Sequence, residues 1–246
     1  MFKLNKYPDN NNLIQLNLLS NFAKKLRLKY QVIMPKINEI YYSIQGEGTR
    51  AGEPCVFVRF TYCNLRCTYC DTEYAFYEGK EMSNEEIINE VKKFNCKLVE
   101  ITGGEPLVQK EECLSLMKSL CDLNYDVMIE TGGSISIAEI DSRVKIIMDL
   151  KCPSSGMEKK NYYDNLNYLK PTDELKFVIG NREDYEWSKE ILKENNLEEK
   201  CILLFSPVFN KIQPVEIVNW ILEDNLKVRF QLQLHKYIWD PQTKGV

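Results

Sequence analysis

The sequence holds one histidine, His235, and no apolar run approaching the roughly 20 residues that a membrane-spanning helix needs. The first scarcity leaves little with which to complete a structural zinc site, and the second excludes a transmembrane helix. An excess of positive charge is also missing: 32 Lys and Arg stand against 36 Asp and Glu, a formal net charge of −4. A protein that grips phosphate backbones without regard to sequence usually has a basic face, so nucleic acid is not expected as a partner. The N-terminal stretch lacks the compact apolar core and small-residue cleavage site of a secretory signal. Without such a signal, the nine cysteines point to a reducing, cytoplasmic compartment, where thiols bind metal or pack rather than pair.

What is present fits an ordinary soluble globular protein. Hydrophobic residues make up 44% and charged residues 28% of 246 positions, enough for one core of α/β-barrel size. Charge is spread unevenly. Residues 1–36 carry seven Lys and Arg against Asp9 alone, leaving 25 basic and 35 acidic residues in the remainder, net −10. That leader is read as a basic extension, flexible or loosely docked, or as a start placed upstream of a true beginning at Met34. A targeting role is the other reading of a basic, acid-poor leader. Residues 37–246 are read as a single catalytic domain.

From residue 37 the chain alternates short Val-, Ile- and Phe-rich runs with amphipathic segments. Strands are expected at 37–44, 55–60, 98–102, 126–130, 145–149, 175–179, 201–205 and 228–232. Ser83 with Glu86 forms a capping-box signature for a helix running to about Phe94. Further helices are expected at 110–123, 182–194 and 215–223, the last following Pro214. Alternation of this kind predicts an α/β fold with a parallel sheet and right-handed crossovers. Ligands then bind at the carboxyl ends of the strands. Thr102 to Pro106, Thr131 to Gly133, Lys151 to Gly156 and Ser206-Pro207 all fall at such ends. Cys96, Cys113, Cys121 and Cys201 lie in apolar patterns and are read as core packing.

Cys63, Cys67 and Cys70 form a C-x3-C-x2-C run directly after a strand. Soft thiolates select zinc, Cu(I) or iron–sulfur clusters. Three ligands in one tight loop suit a cubane whose fourth iron is free, whereas structural zinc asks for a fourth protein ligand. Cys152 is the one distant thiol offered for that. With Tyr69 before the last cysteine and Gly103-Gly104-Glu105-Pro106 downstream, the chain resembles the radical S-adenosylmethionine (SAM) superfamily. The resemblance implies a partial, TIM-like barrel of parallel strands with outer helices. It also implies a [4Fe-4S] cluster on the three cysteines, and SAM held at the open iron and cleaved reductively to a 5′-deoxyadenosyl radical. Gly103 and Gly104 make physical sense beside the cofactor, because a missing Cβ permits close backbone approach.

Finer motifs resemble the 7-carboxy-7-deazaguanine synthase family of queuosine biosynthesis, from residue 37 to the C-terminus. They are Tyr42 to Gly48, Phe57 to Phe60, Cys70-Asp71-Thr72, Asp149 to Ser154 and Leu234 to Tyr237. The resemblance implies conversion of 6-carboxy-5,6,7,8-tetrahydropterin to 7-carboxy-7-deazaguanine with loss of ammonia. By it, Ile44, Gln45, Gly46, Glu47, Arg59, Thr102 and His235 bind substrate, and Thr72 contacts Mg²⁺. Tyr69, Asp71, Gly103, Gly104, Glu105, Glu130, Lys151, Pro153, Ser154 and Ser206 bind the cofactor. A homodimer and a flavodoxin or ferredoxin as reductant are also implied. Each assignment has a plainer rival. Arg59, on an otherwise apolar strand, needs an anionic partner, and either a substrate carboxylate or a protein carboxylate would serve. Gln45 and Glu47 form an ordinary polar turn as readily as a pterin grip. His235, near a strand end, is equally a proton relay or a structural residue. Two rival functions remain at this stage: an activase of glycyl-radical enzymes, with the same cysteine spacing, and a zinc-stabilised binding module without chemistry.

Overall fold

The computed structural model describes residues 34–246, so the leader, apart from Met34 to Lys36, lies outside the described residues. Nine strands are β1 (Lys36–Ile44), β2 (Pro54–Phe60), β3 (Lys80–Glu81), β4 (Leu98–Gly103), β5 (Asp126–Thr131), β6 (Lys145–Asp149), β7 (Glu174–Ile179), β8 (Ile202–Pro207) and β9 (Arg229–Phe230). They form one open sheet in the order β3-β1-β2-β4-β5-β6-β7-β8-β9. Every pairing from β2 to β9 is parallel. The expected parallel sheet is present, with an antiparallel edge: β1 runs antiparallel to β2, with Ile44 opposite Pro54, and β3 antiparallel to β1. The 45–53 connection is too short for a crossover, so the chain returns beside itself as a long hairpin.

The helices are α1 (Asn84–Val91), α2 (Lys110–Asp122), α3 (Arg182–Glu194), α4 (Pro214–Asp224) and a single-turn α5 (His235–Ile238). The capping box at α1 is formed: Glu86 N–H donates to Ser83 Oγ at 3.2 Å, and Ser83 N–H to the Glu86 carboxylate at 2.7 Å. Such caps contribute about 1 kcal/mol. α1 ends at Val91 rather than Phe94, and Pro214 occupies the first turn of α4, where its missing N–H costs nothing.

Strand alternation sorts side chains into two cores. Val58, Ile101, Ile129, Phe177 and Phe205 point outward against the helices, meeting Leu116, Met117 and Leu120 of α2 among others. Cys55, Phe57, Leu98, Met128 and Ile147 point inward and fill the lower barrel. Each such side chain, fully buried, contributes about 1.5–3 kcal/mol. The same inward register carries polar residues one step further along: Arg59, Glu100, Thr102, Glu130, Asp149 and Lys176.

The loop after β1 reaches across to the far strands. Gly48 N–H donates to Gln231 Oε1 at 2.6 Å, and Thr49 N–H to the Glu174 carboxylate at 3.0 Å. Glu174 is wholly buried and pairs with Lys145 at 2.6 Å. Leu234 N–H donates to Gly46 O at 2.9 Å. Two glycines are required here. A Cβ on Gly46 would stand 2.4 Å from His235 Nδ1, and Gly48 has φ +69° with Glu174 Oε2 2.4 Å from where its Cβ would be.

Candidate active site

At the carboxyl ends of the parallel strands lies a cavity of about 520 Å³, lined by the three cysteines, the 45–47 turn, Gly103, Gly104, Glu130, Lys151 and His235 among others. The cysteine loop is held close to β4. Tyr62 adopts φ 78°, an uncommon conformation for a non-glycine residue, with its N–H bonded to Ala75 O and its carbonyl accepting from Glu105 N–H at 2.8 Å. A Cβ on Gly104 would meet that carbonyl at 2.4 Å and Cys63 Cβ at 2.7 Å. The Gly-Gly pair therefore lets the sheet end pass directly beneath the first cysteine. Thr68, between the second and third cysteines, ties the loop to the far side through N–H to Ser155 O at 3.0 Å and Oγ to Ser154 O at 2.8 Å.

Burial raises the Cys63 and Cys67 thiols above the ordinary range and Cys70 to about 11, so loading metal there releases protons. Among the described residues, no three Cys, His, Asp or Glu side chains converge as they would around a single ion. A cubane takes each thiolate on a different iron, so thiols facing one cavity without a common focus suit it better than zinc. Cys152, the distant ligand that zinc would need, instead packs in the core with Sγ 3.6 Å from Ser188 Oγ. The residues present fit an iron–sulfur cluster.

The cavity floor is a charged network. Lys176, almost wholly buried, reaches Glu47 at 2.7 Å, Asp149 at 3.2 Å and Glu130. Lys151 holds Asp149 at 2.5 Å. Burial alone would discharge both lysines, but Asp149 above all, with Glu130 and Glu47 for Lys176, keeps them charged. Burial likewise pushes Glu47 and Asp149 upward, and the lysines more than reverse it, leaving both below the usual carboxylate range. Glu130 is raised, because burial outweighs Lys176. His235 is lowered by burial and is neutral at pH 7. It opens α5, five residues after the end of β9.

Arg59 has a protein partner. Its Nε donates to Glu39 at 2.8 Å and its Nη2 to the Tyr41 hydroxyl at 2.6 Å, while the residue still lines the cavity. Thr72 donates its hydroxyl to Asp71 at 2.9 Å, and Asp71 pairs with Lys236 at 2.5 Å, joining the cysteine loop to α5.

Most expected site residues meet here: Ile44, Gln45, Gly46, Glu47, Arg59, Tyr69, Asp71, Thr72, Thr102, Gly103, Gly104, Glu130, Lys151 and His235, with the cysteines, border one cavity. Four do not border it. Glu105 is wholly buried and spends its carboxylate on Leu107 N–H, Thr131 Oγ and Gly132 N–H, so it shapes the turn. Ser154 gives its hydroxyl and N–H to Asp184 at 2.5 and 2.8 Å. Pro153 starts the short turn beside it. Ser206 is buried with an unpartnered Oγ. Sequence reasoning missed Lys176 and Glu100, named Asp149 only as part of a motif and gave it no role, and missed the segment Pro241 to Val246, which also borders the cavity. The signal for Lys176 and Glu100 was the one used for Arg59, a charged residue inside an apolar strand.

The model of the radical SAM superfamily matches residues 57–221, which include the cysteine loop and strands β4 to β8. The 7-carboxy-7-deazaguanine synthase of Koribacter versatilis is 47% identical over 225 residues, covering 86% of this chain and 100% of that protein. The chain belongs to the 7-carboxy-7-deazaguanine synthase family of radical SAM enzymes. The synthase of Chlorobaculum tepidum is 43% identical, covering 85% of this chain and 96% of its own. The crystal structure of QueE from Escherichia coli matches with TM-score 0.69 and 22% identity over 82% of this chain and 95% of that one, which shows the shared fold. As a member of this family the protein is an enzyme working with a [4Fe-4S] cluster and SAM on a small molecule, and needs a reductant. The activase and zinc-module readings are not favoured. Among the described residues no helix is long and apolar enough to cross a membrane.

Proposed function

We propose that the enzyme converts 6-carboxy-5,6,7,8-tetrahydropterin to 7-carboxy-7-deazaguanine with loss of ammonia, the product being the one its relatives' name gives. The observation that carries this reading is the shared cavity: the cysteine loop and the polar Gln45–Glu47 turn face one space. Cys63, Cys67 and Cys70 would hold the cluster, which together with SAM supplies a 5′-deoxyadenosyl radical when bound. Gly103 and Gly104 let β4 pass close to Phe60, Tyr62 and Cys63, which brings the strand end to the cluster and SAM side of the cavity, and Lys151 presents the buried positive charge beside Cys67. Tyr69 lines the same wall with a buried, unpartnered hydroxyl.

Gln45, Glu47 and Glu130 offer the pterin both acceptors and donors. Arg59, already balanced by Glu39, keeps guanidinium N–H groups for the substrate carboxylate. Thr72 would take Mg²⁺, whose remaining ligands come from substrate oxygens and water. Neutral His235, bounded by Glu47 and Gly46, is placed to take up or return a proton at the pterin. Pro241 to Val246 complete the lining of the cavity. A catalytic domain spanning 37–246, a cytoplasmic setting, a homodimer, and a flavodoxin or ferredoxin as electron donor belong to the same reading.

The test is anaerobic incubation of the reconstituted enzyme with SAM, Mg²⁺, dithionite and 6-carboxytetrahydropterin, with products identified by mass. 7-Carboxy-7-deazaguanine is expected. Formation of 5′-deoxyadenosine without it would overturn the substrate.

A further inference from the structure

The barrel interior gathers four carboxyl groups around two ammonium groups, Lys151 and Lys176: Glu100 and Asp149 are buried, while Glu47 and Glu130 keep 13% and 27% of their side chains exposed. A buried carboxylate with no cation bonded to it is costly. Lys151 is taken by Asp149, and Lys176 hydrogen-bonds Glu47 and Glu130 and lies 3.2 Å from Asp149. Glu100 is the carboxyl without a cation. It is 2% exposed, lies on β4, and its partner is the side chain of Gln45. Other titratable groups around it are Tyr41 of β1 and Cys55 of β2. Burial first, and then Glu130, drive Glu100 well above the carboxylate range.

Gln45 is fixed at both ends. Its Oε1 accepts from Glu47 N–H at 3.1 Å, a group that can only donate. The amide nitrogen must therefore face Glu100, and Glu100 must accept from it. One N–H and one oxygen lone pair of Gln45 are left over, a donor and an acceptor side by side. That pattern matches the amide edge of a pterin.

We propose that Glu100 is a positioning residue, held as a neutral carboxylic acid, that locks the Gln45 carboxamide in the one orientation that reads the pterin's amide edge. This rests on the pterin reading for its ligand, but the state of Glu100 is testable without it.

The first readout is infrared spectroscopy of wild type and Glu100→Gln near neutral pH without substrate. The protonated-carboxyl carbonyl band is expected to lose intensity in the variant, whatever remains belonging to other raised carboxyls such as Glu105 and Glu130; a wild-type-minus-variant difference with no such band overturns the neutral acid. The second is the affinity for 6-carboxytetrahydropterin by anaerobic calorimetry. Glu100→Ala leaves the Gln45 amine without its partner and should weaken binding about 10- to 100-fold. Glu100→Gln keeps an acceptor for Gln45 and should rescue most of that loss. Unchanged affinity in Glu100→Ala, or an equal loss in both variants, overturns the positioning role. If wild type fails to bind the pterin while the infrared difference is present, the substrate reading and the positioning role fall and the neutral acid stands.

Discussion

Replacing Lys176 by Met removes the cation that reaches Glu47, Glu130 and Asp149 and keeps a side chain of similar length. Lys176 is 4% exposed, and of the carboxylates left behind Glu47 and Asp149 keep only 13% and 12% of their side chains in solvent, Glu130 27%. Deleting one partner of a buried ion pair typically costs about 3–5 kcal/mol, and that is the destabilisation expected near pH 8. The sign of its pH dependence follows from the carboxyls. In wild type Glu47 and Asp149 lie below their unfolded values, so their contribution is present above the unfolded pKa and is lost as pH falls through the folded one. Without Lys176, burial prevails at Glu47 and strengthens at Glu130, and both bind protons more tightly folded than unfolded. Stability of the variant then falls as pH rises from the unfolded carboxyl pKa, about 4.3, through the raised folded values. Urea unfolding followed by tryptophan fluorescence at about pH 5 and about pH 8 measures this: the penalty should be small at the lower pH and full at the higher. An equal penalty at both, or one below about 1 kcal/mol at the higher pH, would refute the assignment of Lys176 as the charge-balancing centre.

Three further outcomes are expected. Cys67→Ala should abolish iron binding on anaerobic reconstitution, measured by iron and sulfide content, and turnover with it; retained activity would sink the cluster assignment. Gly104→Ala places a Cβ 2.4 Å from the Tyr62 carbonyl, which is backbone and cannot swing away, so a destabilisation of about 1–3 kcal/mol in urea should accompany a loss of reconstituted iron. Thr72→Ala should weaken the Mg²⁺ dependence of product formation, and a Mg²⁺ titration superimposable on wild type would rule out the ligand role.

The strand ladder was legible because buried parallel strands carry a dense apolar signal: 145–149 and the helix 182–194 match the structure residue for residue. Strand direction was less so. Nothing in the apolar content of 36–44 distinguishes an antiparallel edge from a parallel neighbour; only the short connection to Pro54 does. The cysteine loop and the Gly-Gly turn could be read because their chemistry is local. Glu105 misled because it shares a motif with residues that line the cavity, yet its carboxylate bonds backward to Thr131 and Gly132. Lys176 and Glu100 were passed over because each sits in a strand whose neighbours are apolar, and inward alternation shows only once β4 and β7 are placed around one axis.

The anchoring of the 45–50 loop has a consequence for the order of events as the chain leaves the ribosome. Thiols at 63, 67 and 70 are neighbours from the moment they are made. The turn that faces them waits for partners 125 residues later at Glu174 and 183 residues later at Gln231. Contacts so distant in sequence are the last to repay their loop-closure entropy. A nascent chain stopped before β7 would thus expose metal-binding thiols beside an unfinished pocket. Completion of the C-terminal strands is the step that joins a radical source to something it can act upon.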